Sequence, residues 1–439
     1  MKTNTRELAG LHVTRIANTI YLMKASGKTM KKVLVIAYHY PPLGGGGVFR
    51  TLKFTKYFPQ FGFRPYVLTV KNPMYTTKDP TLVKEIPPEA RILAAFSFEH
   101  RILRASRLLN IDPEWFFIPD VNVGWLPCGT HLGNKIIRQE NIDVIYATAP
   151  VWTSLLIGYL LKRKTHKPLV VDFRDPWTIN PFKTFPTKFH EKIENYLEKK
   201  VLMSADYVIT ISQPYKIKLI EKYPFLKSKC EVIMNGFDPD DFKDLKRLPL
   251  KGKFKILHTG SLYGLRSPKH FLSALHELFQ EKPELREQIE VTFVGNYGKE
   301  TPVLVDKFGL NDAVKLVGYI PHEECLELMV NAHVLLLIVT SEGQQTSGVV
   351  TGKIFEYLAS RRPILTLAQK ENIAADIIRS TNAGLTVPSD NVEQIKDAIF
   401  KMYNTWKDGG THMKQSDISA YDRKFLTKRL AQIFENVLT

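Results

Sequence analysis

Residues 31–50 read KKVLVIAYHYPPLGGGGVFR, and this stretch decides the class of fold. Val33 to Ala37 are apolar without a break, as in a strand buried on both faces of a parallel sheet. A loop with four glycines, Gly44 to Gly47, then leads into a helical stretch expected from Val48 to Phe61. Strand, glycine turn and helix form the opening unit of a doubly wound α/β sheet. Further along the chain, RPYVLTV (64–70), IDVIYAT (142–148), PLVVDFRD (168–175) and ADYVITIS (205–212) read as further short strands, most with polar ends. A second series begins with FKILHTGSL (254–262) and continues through IEVTFVG (289–295), VKLVGYI (314–320), AHVLLLIV (332–339) and RPILTLA (362–368). Between the two lies NGFDPDDFKDLKRLPLKGK (235–253), which is polar and charged.

The expected architecture is therefore two Rossmann-like lobes facing a cleft. Residues 31–236 form the first lobe, 237–252 a linker and 253–410 the second lobe. Within 411–439, the helix Arg423 to Leu438 can pack back across the first lobe. Residues 1–30 form an extension with no continuous apolar stretch, so a secretory signal is not expected there. Leu8, Leu11, Ile16 and Ile20 can share one face of a short basic amphipathic helix.

A chain of 439 residues exceeds one ordinary core and suits two lobes of roughly 200 residues each. With 44% hydrophobic and 24% charged residues it is neither disordered nor fibrous. Cys128, Cys230 and Cys325 lie far apart, which fits a reducing cytosol better than a disulfide framework or a zinc site. The best candidate for a membrane span, Val334 to Val339, is of strand length, far below the roughly 20 residues such a span needs. The 12 histidines show no HExxH spacing. The net charge of +17 is uneven: residues 1–240 hold 35 Lys/Arg against 20 Asp/Glu, and residues 241–439 hold 26 against 24. The basic lobe points to an anionic membrane surface or a phosphate-bearing acceptor, or is simply a solvated surface. RNA-module aromatics and helix-turn-helix spacing are missing, so nucleic acid is not the expected partner.

Four segments carry candidate chemistry. Gly45, Gly46 and Gly47 allow a ligand to approach backbone N–H groups at a helix start, with Arg50 one turn further on. The loop has no Gly-Lys-Ser/Thr, so it is not a P-loop, and no acidic residue ends the next strand as a dinucleotide site requires. Asp172, Arg174 and Asp175 end a strand, either as a structural ion pair or at the cleft against acceptor and transferred sugar. Trp177 beside them can offer a platform for a sugar ring. In TGSLYGLRSPKHF (259–271), Gly260 and Gly264 flank a turn, and Arg266 and Lys269 can clamp a diphosphate.

QQTSGVVTGKIFEYLASRRPIL (344–365) is the most specific segment. Thr346 or Ser347 can cap a helix on which Lys353 and Glu356, three apart, share one face. A cation for phosphate and a carboxylate for a ribose diol make a nucleotide grip; an ordinary i,i+3 salt bridge is the alternative. Asp238-Pro239-Asp240 has the DxD pattern of a metal site but falls in the linker, where a structural role is expected.

Taken in order, PPLGGGGVFR, VDFRDPW, NGFDPDDF, GSLYGLR and TGKIFEYLASRRPIL resemble glycosyltransferase family 4, of the GT-B fold, over essentially residues 31–438. The resemblance implies a nucleotide-sugar donor (a UDP- or GDP-sugar) on the second lobe and a glycan or lipid-linked acceptor on the first. It also implies no metal or other cofactor and retention at the anomeric carbon. Glu356 would hold the ribose hydroxyls and Lys353 and Arg266 the diphosphate. Backbone near Gly295 and from Tyr319 to Pro321 would meet the base, and the loop from Glu342 to Ser347 the sugar. Two departures stand out. Gly348 occupies the position where many members carry a first glutamate, leaving Glu342 as a substitute, and Arg174 stands where many carry histidine. A GT-B sugar-nucleotide epimerase and a non-catalytic basic binding protein are the rival readings. A cytoplasmic protein that reaches the inner membrane face is the expected setting.

Overall fold

The computed structural model describes residues 29–439 except 76, 109–114, 116, 182, 263–265, 340–347, 349 and 411–415. Its first sheet has seven strands: β1 (Lys31–Ile36), β2 (Phe63–Val70), β3 (Arg91–Ala95), β4 (Val144–Thr148), β5 (Leu169–Phe173), β6 (Tyr207–Thr210) and β7 (Cys230–Val232). All pair in parallel, in the order β3-β2-β1-β4-β5-β6-β7. The second sheet contains β8 (Phe254–Thr259), β9 (Ile289–Val294), β10 (Val314–Val317), β11 (Val334–Ile338), β12 (Ile364–Leu367) and β13 (Gly384–Val387). It too is parallel, in the order β10-β9-β8-β11-β12-β13. Both sheets are doubly wound. Strand order reverses between β1 and β4 in one and between β8 and β11 in the other, and a ligand crevice opens beyond the strand ends at each reversal.

Alternation along each strand feeds two cores per sheet. Leu34 and Ile36 pack with Trp125, Ile145 and Leu155 on one face, while Val33 and Val35 pack with Phe54, Phe58 and Tyr146 on the other. In β11, Leu336 and Ile338 face one core and Leu335 and Leu337 the opposite one. Helix Arg423–Leu438 completes the first lobe: Leu426, Leu430, Ile433 and Phe434 lie in the same core as Val33 and Phe58. Its start is tied down where Phe237 bridges Asp422 and the Arg423 N–H donates to the Phe237 carbonyl at 2.8 Å.

Three strands lie outside the sequence expectation. β3 is an edge strand with most of its residues exposed, and β7 has only three residues. β13 starts on Gly384, where a Cβ would come within 1.8 Å of the Ile364 carbonyl oxygen. Glycine there lets the last strand dock, at the cost of hiding its signal. The glycine-loop helix runs Gly46–Tyr57 and continues as a 3-10 turn through Phe61, two residues earlier at its start than expected.

Candidate functional site

Two glycines beyond the second sheet bring backbone segments together. Gly260 follows β8 with φ 130° and Gly295 follows β9 with φ 114°, and a Cβ on Gly295 would lie 2.5 Å from the Gly260 oxygen. Helix Lys353–Ser360 starts beside this turn, with the Lys353 side chain 3.7 Å from where a Gly260 Cβ would sit. The helix buries Ile354, Phe355, Tyr357 and Leu358, and the Thr259 N–H donates to the Tyr357 hydroxyl at 2.8 Å. That packing turns Lys353 and Glu356 toward the crevice.

Lys353 Nζ donates to Glu356 Oε2 at 2.9 Å, and His322 Nε2 lies 3.2 Å from Glu356 Oε1. Burial by itself would raise the Glu356 carboxyl, but the Lys353 charge and the His322 hydrogen bond outweigh it and hold it well below the usual range. Burial likewise pulls Lys353 down, and Glu356 more than reverses it. Nearby His258 is held neutral, its value lowered to about 4 by burial and by the Arg266 and Lys353 cations. Arg266 Nε donates to the Val339 carbonyl beyond β11 at 3.1 Å.

The first lobe meets this face directly. The Phe49 ring, on the glycine-loop helix, lies 4.3 Å from the His322 ring between centroids. Gly45 caps that helix with φ 82°, which favours glycine. A Cβ on Gly44 would lie 2.6 Å from the Tyr319 hydroxyl and one on Gly45 2.5 Å from that of Tyr75, whereas Gly46 faces open space. Buried Asp79 accepts the His322 backbone N–H at 3.3 Å and the Tyr319 hydroxyl at 3.4 Å, so a first-lobe carboxylate caps a second-lobe helix. Arg174 Nη1 donates to the Gly47 carbonyl at 2.8 Å, and Asp175 beside it is half-buried. His39 packs on Gly47 and is lowered to about 4 by burial and by Arg174.

Comparison with known proteins matches two family descriptions, Glycosyltransferase Family 4 at residues 44–241 and Glycosyl transferases group 1 at residues 253–405. The chain is a family 4-type glycosyltransferase. An uncharacterized glycosyltransferase of Methanocaldococcus jannaschii is 20% identical over 319 residues, 69% of this chain and 77% of that protein. A glycosyltransferase structure from Rickettsia africae superposes with a TM-score of 0.65 at 17% identity, covering 93% of this chain and 99% of the other. The Anabaena HepE structure, solved with UDP-glucose, gives 0.63 at 17% identity, covering 93% and 100%. These structures share the GT-B fold. The matched families are transferases, which sets aside the epimerase and the non-catalytic reading.

Several site residues of the transferase stand otherwise than the sequence suggested. Arg50 does not reach the cleft: it is fully buried, with Nε 2.7 Å and Nη2 3.1 Å from the Asp172 carboxylate and further bonds to the Ile233 and Met234 carbonyls. Asp172 therefore pairs with Arg50 rather than Arg174. Trp177 offers no platform, because it is completely buried, stacked on Trp152 and bonded through Nε1 to Glu194. The Lys353 helix is capped at Gly352, not at Thr346 or Ser347. Thr346, Ser347 and Glu342 lie outside the described residues. Asp238 of the DxD pattern binds Lys53 at 3.0 Å and Lys56 at 2.7 Å, welding the linker to the glycine-loop helix. Gly348 is set by the other lobe: a Cβ would come 2.9 Å from the Tyr215 ring, and Ser212 Oγ donates to its carbonyl.

His322, His39, Asp79 and Tyr215 escaped sequence reasoning. Pro321 ahead of a helix was a cue for His322; the others needed the fold to bring them into place. Beneath the second sheet, a cavity of about 280 Å³ lined by Phe254, Met402 and Trp406 opens at the amino ends of the strands, on the side away from this crevice.

Proposed function

We propose that this transferase moves a sugar from a nucleoside-diphosphate donor, held by the second lobe, to a glycan or lipid-linked acceptor on the first. One observation carries the reading. Lys353 and Glu356 form a half-buried pair at the switch-point crevice of the second sheet and connect through His322 to Phe49 on the glycine-loop helix. In this reading Glu356 takes the ribose hydroxyls and Lys353 exchanges part of its pairing for the diphosphate. Arg266 adds a second cation, and backbone at Gly295 and Tyr319 faces the base.

The acceptor hydroxyl attacks the anomeric carbon on the face from which the nucleotide leaves. The bond from that carbon to the phosphate oxygen breaks, the new glycosidic bond forms, and the hydroxyl proton passes to the departing phosphate. Lys353 and Arg266 stabilise the charge that builds on the leaving group. Arg174 and Asp175 border the acceptor side. No metal is needed in this scheme. Glu85, Asp238 and Asp241, whose oxygens cluster closely enough for an ion, already surround the Lys53 ammonium. Surface-glycan assembly is the setting that best matches a basic first lobe.

A thermal-shift panel of UDP-, GDP- and ADP-sugars, followed by transfer assays with the stabilising donor, tests the reading. Lys353→Ala, with its fold checked by circular dichroism, is expected to slow transfer 30- to 1,000-fold, about 2–4 kcal/mol in the barrier. Unchanged transfer at saturating donor would remove Lys353 from its role. Chelator is expected to leave the rate unchanged.

A further inference from the structure

Helix Lys188–Ser204 has an outer face that the transfer reaction does not use. Phe189, Tyr196 and Met203 recur every seven residues along it and are 67%, 59% and 57% exposed. Seven residues are close to two helical turns, so the three side chains form one stripe about 21 Å long. Lys188, Lys192, Lys199 and Lys200 are exposed alongside, against a single exposed carboxylate, Glu191. The other two carboxylates of the helix turn inward: Glu194 accepts from Trp177 Nε1, and Glu198 from the Thr178 N–H and the Tyr223 hydroxyl. The stripe continues at both ends. Trp115, 53% exposed, packs edge-on against His190, and at the far end Lys229 reaches the Ala205 carbonyl while lying over the Phe225 ring.

We propose that this face is where the protein lies on an anionic bilayer, with Phe189, Tyr196, Met203 and Trp115 at the acyl boundary and the lysines on headgroup phosphates. Rings and a thioether flanked by lysines, on a helix of 17 residues, are the pattern of a segment that rests in the interface rather than crossing it. Among the described residues no helix is long and apolar enough to cross a membrane. The charge selects the occupant. A second copy meeting the same face would set lysines against lysines, whereas an anionic surface satisfies them. The helix follows β5, so its first turn starts on the crevice side of the lobe. The inference deepens the proposed reading by saying how a lipid-linked acceptor is met, yet its test needs neither donor nor acceptor.

Full-length protein is sedimented with vesicles of phosphatidylcholine alone or with 30% phosphatidylglycerol. Binding is expected only to the anionic vesicles and to weaken with salt. The variant Phe189→Ser/Tyr196→Ser/Met203→Ser is expected to bind about ten-fold more weakly, and each of Lys192→Gln and Lys199→Gln roughly five-fold. Both lysine variants change exposed side chains and keep the test meaningful should the triple variant misfold. Wild-type protein that ignores anionic vesicles, or stripe and lysine variants that bind as wild type does, would overturn the proposal. So would a dimer in sedimentation velocity that the stripe variant abolishes. None of these outcomes bears on transfer to a water-soluble acceptor, which the sugar-nucleotide assay reads separately.

Discussion

Glu356 has a different partner on each oxygen, Lys353 on one and His322 on the other. Its pKa is lower in the fold than in the unfolded chain, so its contribution to stability is complete above the ordinary glutamate value near 4.5 and is lost as pH falls below that. Glu356→Gln is therefore expected to flatten the fall in melting temperature below about pH 4.5. It should also raise the donor KM by about ten- to a hundred-fold, as loss of a charge-assisted hydrogen bond does. An unchanged KM would leave the ribose without its partner. Gly348 stands where the family resemblance leads one to expect a glutamate. The structure shows the Tyr215 ring from the other lobe 2.9 Å from where a Gly348 Cβ would sit. Gly348→Ala is expected to destabilise the protein by about 1–3 kcal/mol in urea unfolding, with the added substitution Tyr215→Ala recovering part of it.

Helices and central strands announce themselves when their pattern is long and uninterrupted. The final helix was legible from Arg423 to Leu438 because its apolar residues keep helical spacing. β3, β7 and β13 were not legible, since a part-exposed edge, a three-residue strand and a strand opening on glycine all lack a buried apolar run. The returning helix also makes a prediction. Phe434 lies 5.4 Å from Phe58, 5.3 Å from Phe63 and 5.7 Å from Tyr146 between ring centroids. Phe434→Ala is expected to cost about 3–5 kcal/mol in urea unfolding. A cost below about 1 kcal/mol would mean that the helix is not part of that core. The elements flanking the site were readable, but what faces what across the cleft was not. Arg50 and Trp177 looked like ligand residues from their loops, and only the packed lobe shows them enclosed by Asp172 and Glu194.

Across the whole molecule, His39, His258 and His333 are each lowered to about 4 by burial, two in the walls of the cleft and one under the second sheet. The unfolded chain takes up those protons near pH 6.5, so stability is full above that value and declines as pH falls toward 4. Urea midpoints are expected to drop steadily from pH 7 to pH 5, and a flat profile would contradict the buried neutral histidines. The two-lobe plan and the Lys353–Glu356 pair could be read from sequence because periodicity and spacing encode them. The interlobe contacts of Asp79, His322 and Phe49 could not, because they join residues from separate lobes whose relative placement no local pattern carries. In the proposed function the cleft face of helix Lys353–Ser360 grips the nucleotide. A crystal structure with the stabilising nucleoside diphosphate should show its phosphates within hydrogen-bond reach of Lys353 and its ribose hydroxyls on Glu356. A nucleotide seated on the glycine loop of the first lobe, with Lys353 and Glu356 still paired only to each other and His322, would contradict it.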